Sequence, residues 1–249
     1  MLSHKKTVGI IGGMGPLATA DLFSKIIHMT DAACDQEHLH VIVDNNTAIP
    51  DRTRAILHNG TDPLPQLIAS ADRLFRSGAD FLIMPCNTAH YFHRALNEAA
   101  KIPVLNMLGE TAAFLKKRGI SRVGLLATDG TIQSGVYERA LKSYGIENII
   151  PDAEGQKEVM HVIYDGIKAG NRSLDINAFK AVCQKLLTDG AQTLVLGCTE
   201  LPLAFSMYEI SLPNIDPTSV LAAAAIRRAG ARCIGEYAAA EELSCAGSN

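Results

Sequence analysis

The stretch Phe81-Leu82-Ile83-Met84-Pro85-Cys86-Asn87-Thr88-Ala89-His90 decides how this 249-residue chain is read. Phe81 to Ile83 is a short apolar run of the kind that forms a buried strand, and Tyr91 to Ala100 reads as a helix. Cys86 is thereby delivered to the C-terminal end of a strand, with Asn87 and Thr88 at the start of the helix beside it. Open α/β sheets hold their ligands at that end, and helix amides there favour an ionised thiol.

Upstream, Thr7 to Ile11 is a second β-rich run, followed by Gly12-Gly13-Met14-Gly15-Pro16 and a helical segment from about Leu17 to Thr30. Strand, glycine turn and proline at the helix start make a standard βα opening. His40 to Asn46 reads as another strand, Pro50 to Arg54 as a loop or short helix, and Pro63 to Arg76 as a helix stopping at Gly78. Ile102 to Asn106 supplies a further strand.

The order then begins again. Arg122 to Thr131 echoes Thr7 to Gly15, Ile176 to Thr188 repeats the long helix, and Gly190 to Glu200 repeats Gly78 to Thr88, with Cys198 at the place of Cys86. Leu212 to Asp216 repeats Ile102 to Asn106. The landmarks keep their spacing to within a few residues, which indicates duplication of a unit of about 110 residues, longer than solenoid repeats. Alternating strands and helices predict parallel sheets covered on both faces. The expected architecture is α/β: two similar three-layer domains with mainly parallel sheets, related by a pseudo-twofold duplication, and an active site in the cleft between them. The expected domains are 1–106 plus 216–249, and 107–215. Segments 109–118 and 218–229 could pack on either half, and the tail beyond Gly235 reads as a helix that frays.

Bulk composition narrows the function. Apolar residues make up 47% and charged residues 20%, and a net charge of −3 gives no electrostatic case for nucleic acid or an anionic membrane. No apolar run approaches membrane-spanning length and the start has no signal-peptide h-region, so a cytoplasmic protein is expected. The six cysteines, at positions 34, 86, 183, 198, 233 and 245, contain no CxxC pair, which argues against a structural zinc site or a thioredoxin-like motif. Most free cysteines are packing residues. Cys86 and Cys198 stand apart, because the duplication sets them on opposite walls of one cleft. A thiolate on one wall can take a proton from carbon while a thiol on the other returns one to the opposite face. That exchange is general acid–base catalysis that inverts a stereocentre.

Ile11-Gly12-Gly13-Met14-Gly15-Pro16, Pro85-Cys86-Asn87-Thr88-Ala89-His90 and Gly197-Cys198-Thr199-Glu200-Leu201 resemble the signatures of the aspartate/glutamate racemase family, and the likeness covers essentially the whole chain. The resemblance implies a cofactor-independent amino-acid racemase, working without pyridoxal phosphate or metal and commonly homodimeric. It implies that Cys198 handles the L enantiomer and Cys86 the D enantiomer. Glu200, where cell-wall glutamate racemases carry histidine, favours the aspartate branch, with a small amino-acid substrate as the only partner besides a second subunit. Met14, Arg52 and Lys168 match substrate contacts, the two basic residues gripping a dicarboxylic substrate. Asn87 and Thr88, at a helix N-terminus, are further candidates to hold an α-carboxylate, and Thr199 is the mirror counterpart of Asn87. His90 could face the cleft or serve helix packing, and Glu200 would raise the Cys198 pKa unless directed away.

Other readings compete. Gly13-Met14-Gly15-Pro16-Leu17-Ala18 fits one form of the dinucleotide fingerprint, but Pro16 sits awkwardly within it and no acidic strand end follows at the required distance. Superfamily relatives that isomerise maleate, decarboxylate malonates or racemise hydantoins share this pattern. A non-catalytic small-ligand binder with two structural cysteines is the remaining alternative.

Overall fold

The computed structural model describes residues 5–238. Most of the tail read as a fraying helix lies outside the described residues, and its first residues, 235–238, form turns.

The first half runs β1 (Val8–Gly12), α1 (Pro16–Met29), a 3-10 turn (Asp35–Glu37), β2 (Val41–Asn45), α2 (Arg52–Leu57), α3 (Leu64–Arg76), β3 (Phe81–Ile83), a second 3-10 turn (Thr88–Phe92) and α4 (His93–Ala99). The strands pair in parallel in the order β2-β1-β3, with Val8 opposite both Val41 and Phe81. Every residue of β1 is buried, as a central strand covered on both faces requires, whereas edge strand β2 is only partly covered.

The second half runs α5 (Met107–Lys117), β4 (Arg122–Leu126), α6 (Asp129–Gln133), α7 (Val136–Lys142), β5 (Glu147–Ile149), α8 (Ala153–His161), a π-helical turn (Val162–Lys168), α9 (Asn177–Thr188), β6 (Thr193–Leu196), α10 (Leu201–Met207), β7 (Asn214–Ile215) and α11 (Pro217–Arg228). Its parallel sheet has the order β5-β4-β6-β7. A parallel bridge from Leu82 to Val104 stands in the first sheet where β7 stands in the second, so the two sheets share one topology.

Two strand readings shorten. Ile102 to Asn106 contracts to the Val104 bridge, because Pro103 has no N–H to give a ladder and Asn106 instead caps α5, accepting from the amides of Leu108 and Gly109 at 3.0 and 3.1 Å. Leu212 to Asp216 contracts to Asn214–Ile215, because Asp216 caps α11. The helix read from Tyr91 begins earlier, as the 3-10 turn at Thr88.

Each sheet carries an apolar layer on either face. Leu22 and Ile26 of α1 join Leu221 and Ile226 of α11 on one face of the first sheet, while Leu67 and Leu74 of α3 pack on the other. Phe179 of α9 and Leu125 of β4 belong to the two layers of the second sheet. Full burial of each such side chain contributes about 1.5–3 kcal/mol. Lys25 of α1 pairs with Asp216 at 2.7 Å, tying α1 to the start of α11. Cys183 and Cys233 are buried in these layers and Cys34 is exposed; Cys245 lies outside the described residues.

The halves meet through small polar side chains. The hydroxyls of Thr88, Thr128 and Thr131 form a buried triad, with Thr88 2.9 Å from each of the other two. Gly130 abuts α2: a β-carbon there would come within 3.0 Å of the Thr53 α-carbon.

Candidate active site

Both cysteines line one small chamber at the C-terminal ends of the two sheets. Cys86 follows β3 and Cys198 follows β6, the corresponding strands of the two halves, and both are almost fully buried. Met14, Arg52, Asn87, Thr88, Lys168, Thr199 and Glu200, all singled out from the sequence, line the same chamber.

Met14 is carried by the glycine turn after β1. Gly13 has φ +92°, and a β-carbon there would overlap the Asn46 backbone at 2.3 Å, so only glycine suits the position. The Gly13 amide donates to Thr19 Oγ1 at 2.9 Å, which in turn donates to the Gly15 carbonyl. The turn is braced by its own helix, and one of its donors is spent internally.

Arg52, at the start of α2, donates from Nη2 to the Met14 carbonyl at 3.2 Å and from Nη1 to the Pro50 carbonyl at 3.0 Å. Its guanidinium lies beside Cys86. Nε is buried and makes no hydrogen bond. Asn87, 2% exposed, leaves both its amide nitrogen and its amide oxygen unpartnered in the chamber wall. Buried amides are normally satisfied, so a group able both to accept from and donate to Asn87 completes this wall. Thr88 reaches the chamber too, but its hydroxyl belongs to the threonine triad.

In the lining contributed by the second half, Glu200 is directed at the Cys198 thiol. Cys198 Sγ donates to Glu200 Oε2 at 3.0 Å, Thr199 Oγ1 lies 3.4 Å from the same oxygen, and Lys168 Nζ pairs with Oε1. Burial and then the Glu200 carboxylate push the Cys198 thiol well up, and Lys168 opposes them. At rest Cys198 is therefore a protonated thiol. Burial lowers the Lys168 ammonium, but the Glu200 carboxylate beside it more than offsets this, and Lys168 stays charged.

His90 does not face the chamber. Its Nδ1 bonds the Cys86 carbonyl at 2.8 Å and its Nε2 accepts from the Met107 amide at 3.0 Å. These partners require a neutral ring with the proton on Nδ1. Burial holds the ring down at about 4. His90 thus positions Cys86 by clamping its backbone to the start of α5.

A family model for Asp/Glu/hydantoin racemases matches residues 11–225, a span that contains both cysteine motifs and the glycine turn. The chain belongs to this racemase family. It is similar to the broad specificity amino-acid racemase RacX of Bacillus subtilis, 27% identical over 219 residues that make up 86% of this chain and 94% of the relative. Among solved structures it resembles the aspartate racemase of Picrophilus torridus, with a TM-score of 0.80 and 37% identity across 93% of this chain and 97% of that one. An aspartate racemase homologue from Pyrococcus horikoshii superposes with a TM-score of 0.73 at 25% identity, over 90% and 99% of the two chains.

The racemase chamber also contains side chains that sequence reasoning passed over: Asp51, Thr53, Thr128 and Tyr164. Asp51 and Thr53 flank Arg52, and adjacency was a usable signal. Thr128 follows β4 as the glycine turn follows β1, so the internal repeat pointed to it. Tyr164 lies four residues before Lys168 in the π-helical turn, and both line the chamber. Among the described residues, no helix is long and apolar enough to cross a membrane.

Proposed function

We propose that this protein interconverts L- and D-aspartate by proton transfer at the α-carbon between two cysteines, with no cofactor. One observation carries the reading: Cys86 and Cys198 line a single chamber together with the cations Arg52 and Lys168. Two thiols, one from each half of the duplicated fold, match a carbon acid attacked on one face and reprotonated on the other. Two cations match a dicarboxylic substrate.

The unsatisfied Asn87 amide can donate to the α-carboxylate and accept from the α-ammonium. Arg52 keeps Nε and one Nη2 hydrogen, the edge that a bidentate carboxylate pairing uses. The chamber measures about 20 Å³, room for roughly one water, so substrate enters only when a wall opens. A vestibule of about 430 Å³ adjoins the chamber and shares Met14, Arg52, Lys168 and Glu200 with it. A substrate carboxylate arriving there competes with Glu200 for Lys168.

From D-aspartate, the Cys86 thiolate takes the α-proton and the Cys198 thiol delivers one to the opposite face; the resting protonation of Cys198 suits this direction. From L-aspartate the roles exchange, and Cys198 must first lose its proton. Arg52 beside Cys86 supplies the counter-charge when sulfur there is anionic.

Chiral chromatography of wild type and of Cys86→Ser and Cys198→Ser tests the reading. Wild type should convert either enantiomer, and each variant should lose at least about two to four orders of magnitude in kcat, the usual yield of a positioned acid or base. A variant that racemises aspartate as the wild type does would overturn the two-cysteine mechanism.

A further inference from the structure

A groove of about 860 Å³, lined by residues of α6 and of the α8–π segment, shares none of the vestibule's lining residues. Among the described residues, Tyr164 is the one side chain that lines both the chamber and this groove. Its neighbours in the chamber wall are held in place. Thr88 and Thr128 are locked in the threonine triad, and Arg52 is tied to two carbonyls. Tyr164 stands beside Thr53 of the other half, half-buried, with open space behind its ring. That space is acidic. Asp129, Glu158 and Asp165 line it together with Lys157, whose ammonium pairs with Glu154, and His161, whose Nδ1 lies 2.7 Å from Asp165, so carboxylates outnumber the lysine there.

We propose that Tyr164 is the specificity-determining wall of the site: its ring ends the room available to the substrate side chain and shuts the chamber off from the acidic groove. With the ring in place and the Lys168–Glu200 pair parted by the substrate, a side chain as short as that of aspartate fits between Arg52 and Lys168. With the ring removed, chamber and groove merge into a space that suits a long side chain ending in a cation. The proposal rests on the racemase reading above and adds the residue that sets its substrate length.

The test measures racemisation of L-aspartate, L-alanine, L-lysine and L-arginine by wild type, Tyr164→Phe and Tyr164→Ala. Tyr164→Ala should raise kcat/KM for lysine and arginine relative to aspartate by about tenfold or more, the scale at which a pocket discriminates side-chain size. Tyr164→Phe keeps the ring and should keep the wild-type order of substrates. If Tyr164→Ala loses its native circular dichroism, Tyr164→Leu carries the same expectation. The proposal is overturned if the truncated variant still racemises aspartate with the lysine-to-aspartate ratio of the wild type, or if Tyr164→Phe shifts that ratio equally. A wild-type protein inactive on all four amino acids would instead overturn the racemase reading, and the length limit with it.

Discussion

Glu200 shows how one side chain sets the chemistry of its neighbour. Its carboxylate accepts from Cys198 and pairs with Lys168. Replacing it as Glu200→Gln removes the anion but keeps the Lys168 cation close to the thiol, so the Cys198 pKa should fall. Iodoacetamide alkylation of Cys198, followed by peptide mass spectrometry against pH, should shift to lower pH in the variant; an unchanged or higher midpoint would deny Glu200 this role. His90 carries a second prediction. Unfolded, its ring takes up a proton near 6.5, while in the fold it resists until about 4. Across that window protons therefore favour the unfolded chain, and stability falls as pH drops. His90 alone should remove about 3 kcal/mol between the two limits, with no further loss below them. Urea unfolding of wild type and His90→Asn should show a shallower pH dependence in the variant, and equal slopes would exclude His90 as the cause. At this scale the cysteines, the glycine turn and the charged candidates were legible, because each stands in a distinctive motif. Tyr164 was not, since nothing in its local composition separates it from a packing aromatic.

At the scale of elements, the strands that run centrally through each sheet are continuous apolar runs and were readable as such. The region from α6 through the π-helical turn was harder. β5 is a three-residue edge strand, Glu147-Asn148-Ile149, too polar and too short to display a period. The π-helical turn depends on i→i+5 bonds such as Ala169 N–H to the Tyr164 carbonyl, which no side-chain pattern announces. The strands after residues 102 and 212 were over-read, because the same apolar residues that start them lead directly into the caps of α5 and α11. The contact of α6 with α2 falls at Thr53, which lines the chamber beside Arg52. In Gly130→Ala the new methyl meets the Thr53 hydroxyl at 2.8 Å and its α-carbon at 3.0 Å, so Thr53 must give way next to Arg52. Misplacing binding groups by about 1 Å can cost on the order of a hundredfold in rate. Steady-state kinetics should show kcat/KM for aspartate falling by about ten- to a hundredfold, with the native circular dichroism retained. Wild-type kinetics in the variant would show that this contact does not hold the site.

For the molecule as a whole, the duplicated sheet order β2-β1-β3 and β5-β4-β6 explains why the site has two matched walls. A lone cysteine at a strand end is a moderate signal; its counterpart at the same station of the second sheet makes it half of a matched pair, on which the proposed acid–base exchange rests. The repeat was legible from sequence because strand, turn and cysteine recur at nearly constant spacing. The closed chamber and the directed Glu200 were not, since both depend on how the halves dock. The central claim, that two different groups remove and deliver the proton, is tested most directly by running L-aspartate in deuterated water and following early conversion by proton NMR and mass spectrometry. The expected result is D-aspartate carrying deuterium at the α-carbon while the remaining L-aspartate still carries its proton. D-aspartate that retains the substrate's own proton would contradict the account.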